Sequence, residues 1–548
     1  MMNCRKWMWK GLVLGGLLSA AQGQETQVLE SPAPLDWTPA QVEHLLNRAA
    51  FGATTAEVRH WQAEGADALI DSLLNAGVPV EPFEFKAHRA NRQGMFGSND
   101  VDRSKESKRV RLLNRAQLDD FTAWWVQRMV QREDPLRERM TLILHGWLVS
   151  GANKVKQSDY MIAQNQLFRE NALGNYGQLL SAIVEDPAML LYLDNNSNRR
   201  RKPNENLARE LMELFSLGEG NYTEEDVRQA ARALTGNTVR EKGFVFAAKQ
   251  HDPESITVLG YSSSMDGKDL VALLLEQPSC SRYVATRIIT EFEGLAPSEE
   301  RLQVYAKILV DGDYELKPFL RYLFRDPMFY RPEVLGAKVK SPVDFMIGSC
   351  HRLQVEPNAK FLAGAMAMLG QTLMNPPSVK GWDGGYSWVT EGSSILRSNV
   401  VGAMLGQVSP TDLREGVSEA MDHMDEMMGG SNDSDEGEMD TPKERGGPLS
   451  KLLTQVKRKK LTVRVPVLDW LASQKAVKDT QIAVVMLDQL LAVVPAPDTE
   501  RRVAQFLKLG RKRMNIKEGK MAKNPEKARM LLMQTVHLIL SLPEANLE

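Results

Sequence analysis

Leu193-Asp194-Asn195-Asn196-Ser197-Asn198-Arg199-Arg200-Arg201-Lys202-Pro203-Asn204-Glu205-Asn206 runs directly into Leu207-Ala208-Arg209-Glu210-Leu211-Met212-Glu213-Leu214-Phe215. The second half sets the fold class. At about 100° per residue, Leu207, Leu211, Leu214 and Phe215 share an apolar face, and Asn206, Arg209, Glu210 and Glu213 share the opposite polar stripe. That is an amphipathic helix. The first half is rich in Asn and Asp, which favour turns and caps over helix interiors. A dense polar loop between core-forming helices is a candidate site, because function concentrates on loops held by rigid scaffolds.

The helical spacing recurs outward in both directions, over 42–50, 56–74, 116–130, 136–148, 176–184, 207–217 and 225–234. Thr54 stands before one of these stretches, and Thr223 with Asp226 resembles a capping box. Strand-like text is scarce. Residues 243–247 and 255–259 form a candidate hairpin around His251-Asp252-Pro253, and 461–467 is β-branched. The chain reads as mainly α, a multi-helix globular array with at most a small minor β-hairpin. No internal repeat is evident.

The chain has 548 residues, 43% hydrophobic and 25% charged, an ordinary globular composition. A net charge of −2 argues against a general nucleic-acid binder. Arg5, Lys6 and Lys10 precede a short apolar run over 11–21, and Ala21-Gln22-Gly23 is a small-residue cleavage site before Gln24. Residues 1–23 therefore read as a secretory signal, with an uncleaved anchor as the alternative. Export permits a disulfide between Cys280 and Cys350, but two cysteines 70 residues apart read first as buried free thiols.

Residues 24–410 are expected to form the main helical part, and 449–548 a C-terminal helical part on the same domain. Between them, 411–448 is an acidic Met/Gly/Ser stretch whose centre, 423–440, has no Lys or Arg. Such composition predicts disorder; its methionines and His423 are a weaker match to a soft-metal site.

Several blocks along the chain belong to one pattern. They include His44-Leu45-Leu46-Asn47-Arg48-Ala49-Ala50-Phe51-Gly52, Arg137-Glu138-Arg139-Met140-Thr141-Leu142 leading to His145, Gln164-Asn165, and Asp186-Pro187-Ala188-Met189. The strongest runs from Pro203-Asn204-Glu205-Asn206 through Phe215, and Pro376-Pro377-Ser378-Val379-Lys380-Gly381-Trp382 belongs with it. Together these blocks resemble one bacterial family, the domain of unknown function eighteen-hundred, and the resemblance implies a helical, often exported protein with no established activity. It also implies a second exported protein, resembling alkaline phosphatases and sulfatases, as a candidate partner. Two departures stand out. His145-Gly146-Trp147-Leu148 replaces the family's His-Asn-His-Phe, and Pro253-Glu254-Ser255 replaces a Gly-Pro-Lys-like run after His251-Asp252.

Two chemistries fit the quoted stretch. Asp194, Asn196, Asn198 and Glu205 fall at positions 1, 3, 5 and 12, the spacing of a calcium loop. Against calcium stand Arg199 where the turn needs Gly, and the cations Arg200, Arg201 and Lys202; a hydrogen-bonded Asn turn is the plainer reading. On the next helix, Glu210 and Glu213 are close enough for mutual repulsion to raise one pKa, as a general acid requires. The plainer reading there is a solvated face with Glu205–Arg209 and Arg209–Glu213 ion pairs. His145 follows an apolar run and fits a core histidine, while His251-Asp252 is a weak orienting pair or ligand set. Nucleophile-elbow, zincin and nucleotide-binding signatures do not occur.

The sequence thus points to an exported, periplasmic or extracellular non-catalytic scaffold or partner protein. The alternative is an exported hydrolase acting on envelope or extracellular polymers. Its catalytic residues would be Glu210, Glu213 and His145, with Asn165, Asn204, Asn206, Arg209, His251 and Asp252 binding substrate.

Overall fold

The computed structural model describes residues 35–77, 81–89, 100–408 and 463–548. The expected export signal and acidic insert lie outside the described residues. Helices begin where a short polar side chain can accept from free N–H groups. Thr38 caps α1 (Pro39–Ala50) and Thr54 caps α2 (Thr55–Glu64), each in a reciprocal box with a Gln or Glu three residues on. The single helix predicted over 56–74 is broken at Gly65. Its φ of 97° suits only a residue without a Cβ, and α3 (Ala66–Leu74) starts there.

The next helix, α4 (Asp100–Gln131), extends well before the predicted 116–130. Its first half is polar and largely exposed, with no apolar stripe to read. There follow α5 (Pro135–Trp147), α6 (Ala152–Val155), α7 (Ser158–Asn171), α8 (Tyr176–Ile183), α9 (Pro187–Tyr192), α10 (Asn206–Glu213) and α11 (Glu224–Ala233). The Thr223–Asp226 capping box is present at the start of α11.

The strands pair locally. β1 (Asn237–Arg240) runs antiparallel to β2 (Gly243–Phe246), with Asn237 opposite Phe246. β3 (Ile256–Val258) pairs with β4 (Tyr261–Ser263). The expected pairing of 243–247 with 255–259 does not form, because each segment has a nearer partner across a two-residue turn. In the second turn, Leu259 and Gly260 both take positive φ, 51° and 80°, the twist a tight hairpin needs. At 463–466 there is no strand, and Val467 opens the helix Val467–Ser473.

The remaining helices are α12 (Gly267–Leu275), α13 (Pro278–Glu293), α14 (Glu299–Asp311), α15 (Leu316–Arg325), α16 (Pro342–Leu353), α17 (Ala359–Met368) and α18 (Glu391–Met404), followed by Val467–Ser473, Asp479–Leu490, Thr499–Arg513 and Pro525–Leu540. Mainly α is therefore the fold class, with two minor hairpins. Met140 and Leu144 of α5 and Ile162 and Phe168 of α7 are buried where these helices pack. The helix Pro525–Leu540 packs on α18, and Asp479–Leu490 packs on α16.

Charged side chains are also built into the interior. Arg48 of α1 donates to the Glu548 carbonyl at 2.8 Å and the Val334 carbonyl at 3.1 Å. Glu138 of α5 is buried and accepts from Arg169 Nε and Nη2, each at 2.9 Å, and from the Trp125 indole N–H at 3.0 Å. Cys280 and Cys350 are buried free thiols, and burial pushes the Cys280 thiol up to about 12. Among the described residues no helix is long and apolar enough to cross a membrane.

Candidate functional site

The Asn-rich stretch folds as a short 3-10 turn, Asn195–Ser197, followed by a tight turn closed by an Arg199–Lys202 bridge. Its amides point into the protein. Asn195 donates through Nδ2 to the carbonyls of Asn237 at 2.9 Å and Leu234 at 3.2 Å. Asn198 donates to the Ala231 carbonyl at 2.8 Å and accepts the Asn204 backbone N–H at 3.0 Å. Asn196 Oδ1 accepts from the Val239 N–H at 2.7 Å, and Asn204 Nδ2 donates to Ser197 Oγ at 2.8 Å. Together these bonds fasten the loop to the end of α11 and to β1.

That arrangement answers the calcium reading. The side-chain oxygens of Asn196 and Asn198 accept backbone N–H groups. Asp194 pairs with Lys154 at 2.6 Å, and Glu205 lies 3.6 Å from Arg209. Each of the four side chains is thus engaged by a protein donor. Among the described residues no group of three or more His, Cys, Asp or Glu side chains is placed to hold a metal.

His251 and Asp252 belong to the same brace. His251 Nδ1 lies 2.9 Å from the Thr235 carbonyl, and the Asp252 N–H donates to Thr235 Oγ1 at 2.8 Å. Burial would raise the Asp252 carboxyl, but the Arg232 guanidinium at 2.7 Å holds it below its ordinary range.

Glu210 stands apart from this network. It is half-buried on α10 and lines a groove of about 320 Å³ with Asn153, Lys154, Tyr192, Leu193, Asn206 and Val379. Burial and the neighbouring Glu213 raise its pKa, against Arg209 and Lys380. A Cβ at Gly151 would sit 3.2 Å from the Tyr192 ring, so glycine permits the close approach of this wall. Arg209 turns away to grip Glu224 of α11 at 2.7 and 2.9 Å. Glu213 accepts the Tyr222 hydroxyl at 2.8 Å, so the expected Arg209–Glu213 pair is replaced by these two contacts.

His145 does not line the groove. It is buried on α5 among Trp125, Phe168 and Trp382, and its Nε2 accepts the Met374 N–H at 3.1 Å. Desolvation lowers its pKa to about 3. A core histidine held neutral is a poor proton donor at neutral pH. Asn165 is buried on α7, and neither its amide oxygen nor its amide nitrogen has a partner among the described residues. The structure thus brings Asn206 and Glu210 together and leaves His145, Asn165, His251 and Asp252 elsewhere. Lys154, Tyr192 and Val379 complete the groove from distant parts of the chain, and only folding reveals them.

One family pattern, described as Protein of unknown function (DUF1800), matches residues 44–547. The chain belongs to that family. No curated protein and no solved structure matches it. The DUF1800 match runs from the buried His44 to Leu547, whose residue bridges Val339, so it takes in the brace and the Glu210 groove alike.

Proposed function

We propose that this chain is a non-catalytic scaffold of the bacterial envelope, exported through its first 23 residues. It would dock a second exported protein of the alkaline phosphatase and sulfatase type. The observation that carries the reading is the use made of the loop amides. Asn195 and Asn198 are buried and bonded to backbone carbonyls, as expected of residues that fix a surface rather than transform a substrate. Glu210 supports the second reading, a hydrolase, since a half-buried carboxyl with a raised pKa can act as a general acid.

Co-expression with an exported phosphatase-like protein from the same bacterium and size-exclusion chromatography separates the two. A complex that persists with Glu210→Gln supports the scaffold. Absence of a complex, together with polymer-cleaving activity lost in Glu210→Gln, would overturn it.

A further inference from the structure

Asn196 of the braced loop also lines a much larger groove, of about 1280 Å³. One wall is the exposed first half of α4, with Lys108 and Arg111; the other is the β1–β2 turn, with Arg240 and Glu241. Lys156 stands on a third side. Among the described residues, no carboxylate forms an ion pair with Lys108, Arg111, Lys156 or Arg240. Arg89, by contrast, is held by Asp159 at 2.7 and 2.8 Å. A chain of net charge −2 therefore gathers four exposed cations around one cavity, against the exposed carboxylate of Glu241 on the same wall as Arg240. Like charges lining a concave surface repel one another and focus a positive potential there.

Lys156 has a φ of 62°, the left-handed region, where a side chain other than Gly, Asn or Asp is strained. It is the left-handed C-cap of α6, a conformation that Phe51 and Gln354 also take at the ends of α1 and α16.

The cavity exceeds the roughly 300–1,000 Å³ of small-molecule sites. Its polar lining includes the hydroxyls of Ser104 and Ser107. Of its two described rings, Tyr160 is buried under the Arg89 guanidinium at 4.6 Å, and His88 is half-buried, so little aromatic face is left open for a base to stack on. We propose that this groove binds an acidic polysaccharide, with uronate carboxylates against Lys108, Arg111, Lys156 and Arg240 and sugar hydroxyls against the serines. The glycan site and the protein partner proposed above are independent, since the chromatography tests one and a titration the other.

The test is calorimetric titration of the full chain with an oligogalacturonate, a neutral maltooligosaccharide and single-stranded DNA of matched charge. Oligogalacturonate should bind, weaken with added salt, and weaken by about tenfold or more in Arg111→Glu and Arg240→Glu, both exposed positions. Lys156→Gly should bind more weakly while unfolding at a higher temperature, because the strain is relieved; that pairing separates a binding role from a structural one. No binding of oligogalacturonate, equal or tighter binding of DNA or the neutral sugar, or variants that fold and bind unchanged would each overturn the proposal.

Discussion

At the scale of single residues, burial decides which charges this protein can carry. His145 is ringed by Trp125, Phe168 and Trp382, and its neutral form is fixed by the Met374 N–H. Its folded pKa of about 3 lies below the ordinary 6.5, so the unfolded chain binds the proton more readily. The stability it contributes is complete above 6.5 and is lost as pH falls from there toward 3. Urea unfolding across that range should give a shallower acid limb for His145→Gln than for the parent. His44 and His351, also pushed well below the ordinary value, should add slope of the same sign. Glu138 is the converse case. Glu138→Gln leaves Arg169 buried without its carboxylate and Arg128 with only Glu133 at 3.5 Å, and the loss should be about 3–5 kcal/mol by chemical denaturation.

At the scale of elements, the legible features were those with a local cause. The Thr223–Asp226 box was readable because a capping side chain and its partner lie three residues apart. Thr223→Ala should lower stability by about 1 kcal/mol, measured by thermal unfolding. The apolar face of α10 was equally plain, with Leu207 and Leu211 buried as their spacing predicted. Features set by tertiary competition were not legible. Gly65 sits within an unbroken apolar pattern, and only its φ shows that the chain turns there. Arg209 had a carboxylate one helical turn away in Glu213, but α11 offered it a bidentate partner in Glu224. The candidate site divided along the same line. The sequence placed Asn206 and Glu210 on one stripe, whereas Lys154, Tyr192 and Val379 reach them from other elements.

At the scale of the whole molecule, the densest polar block of the chain ties α10, α11 and β1 to one another. The amides of 195–204 reach α11 and β1, Asp252 holds Arg232, and Arg209 crosses from α10 to α11. A polar centre used in this way belongs to the architecture, and binding is left to the surfaces it shapes. The central claim is that these amides support the fold, and urea unfolding of Asn195→Ala and Asn198→Ala beside Asn206→Ala tests it most directly. Asn206 is the control, because its exposed side chain lines the Glu210 groove instead of entering the brace. The account predicts that each of the first two substitutions costs about 1–3 kcal/mol, and that Asn206→Ala stays within about 0.5 kcal/mol of the parent. Unchanged stability in Asn195→Ala and Asn198→Ala would contradict it.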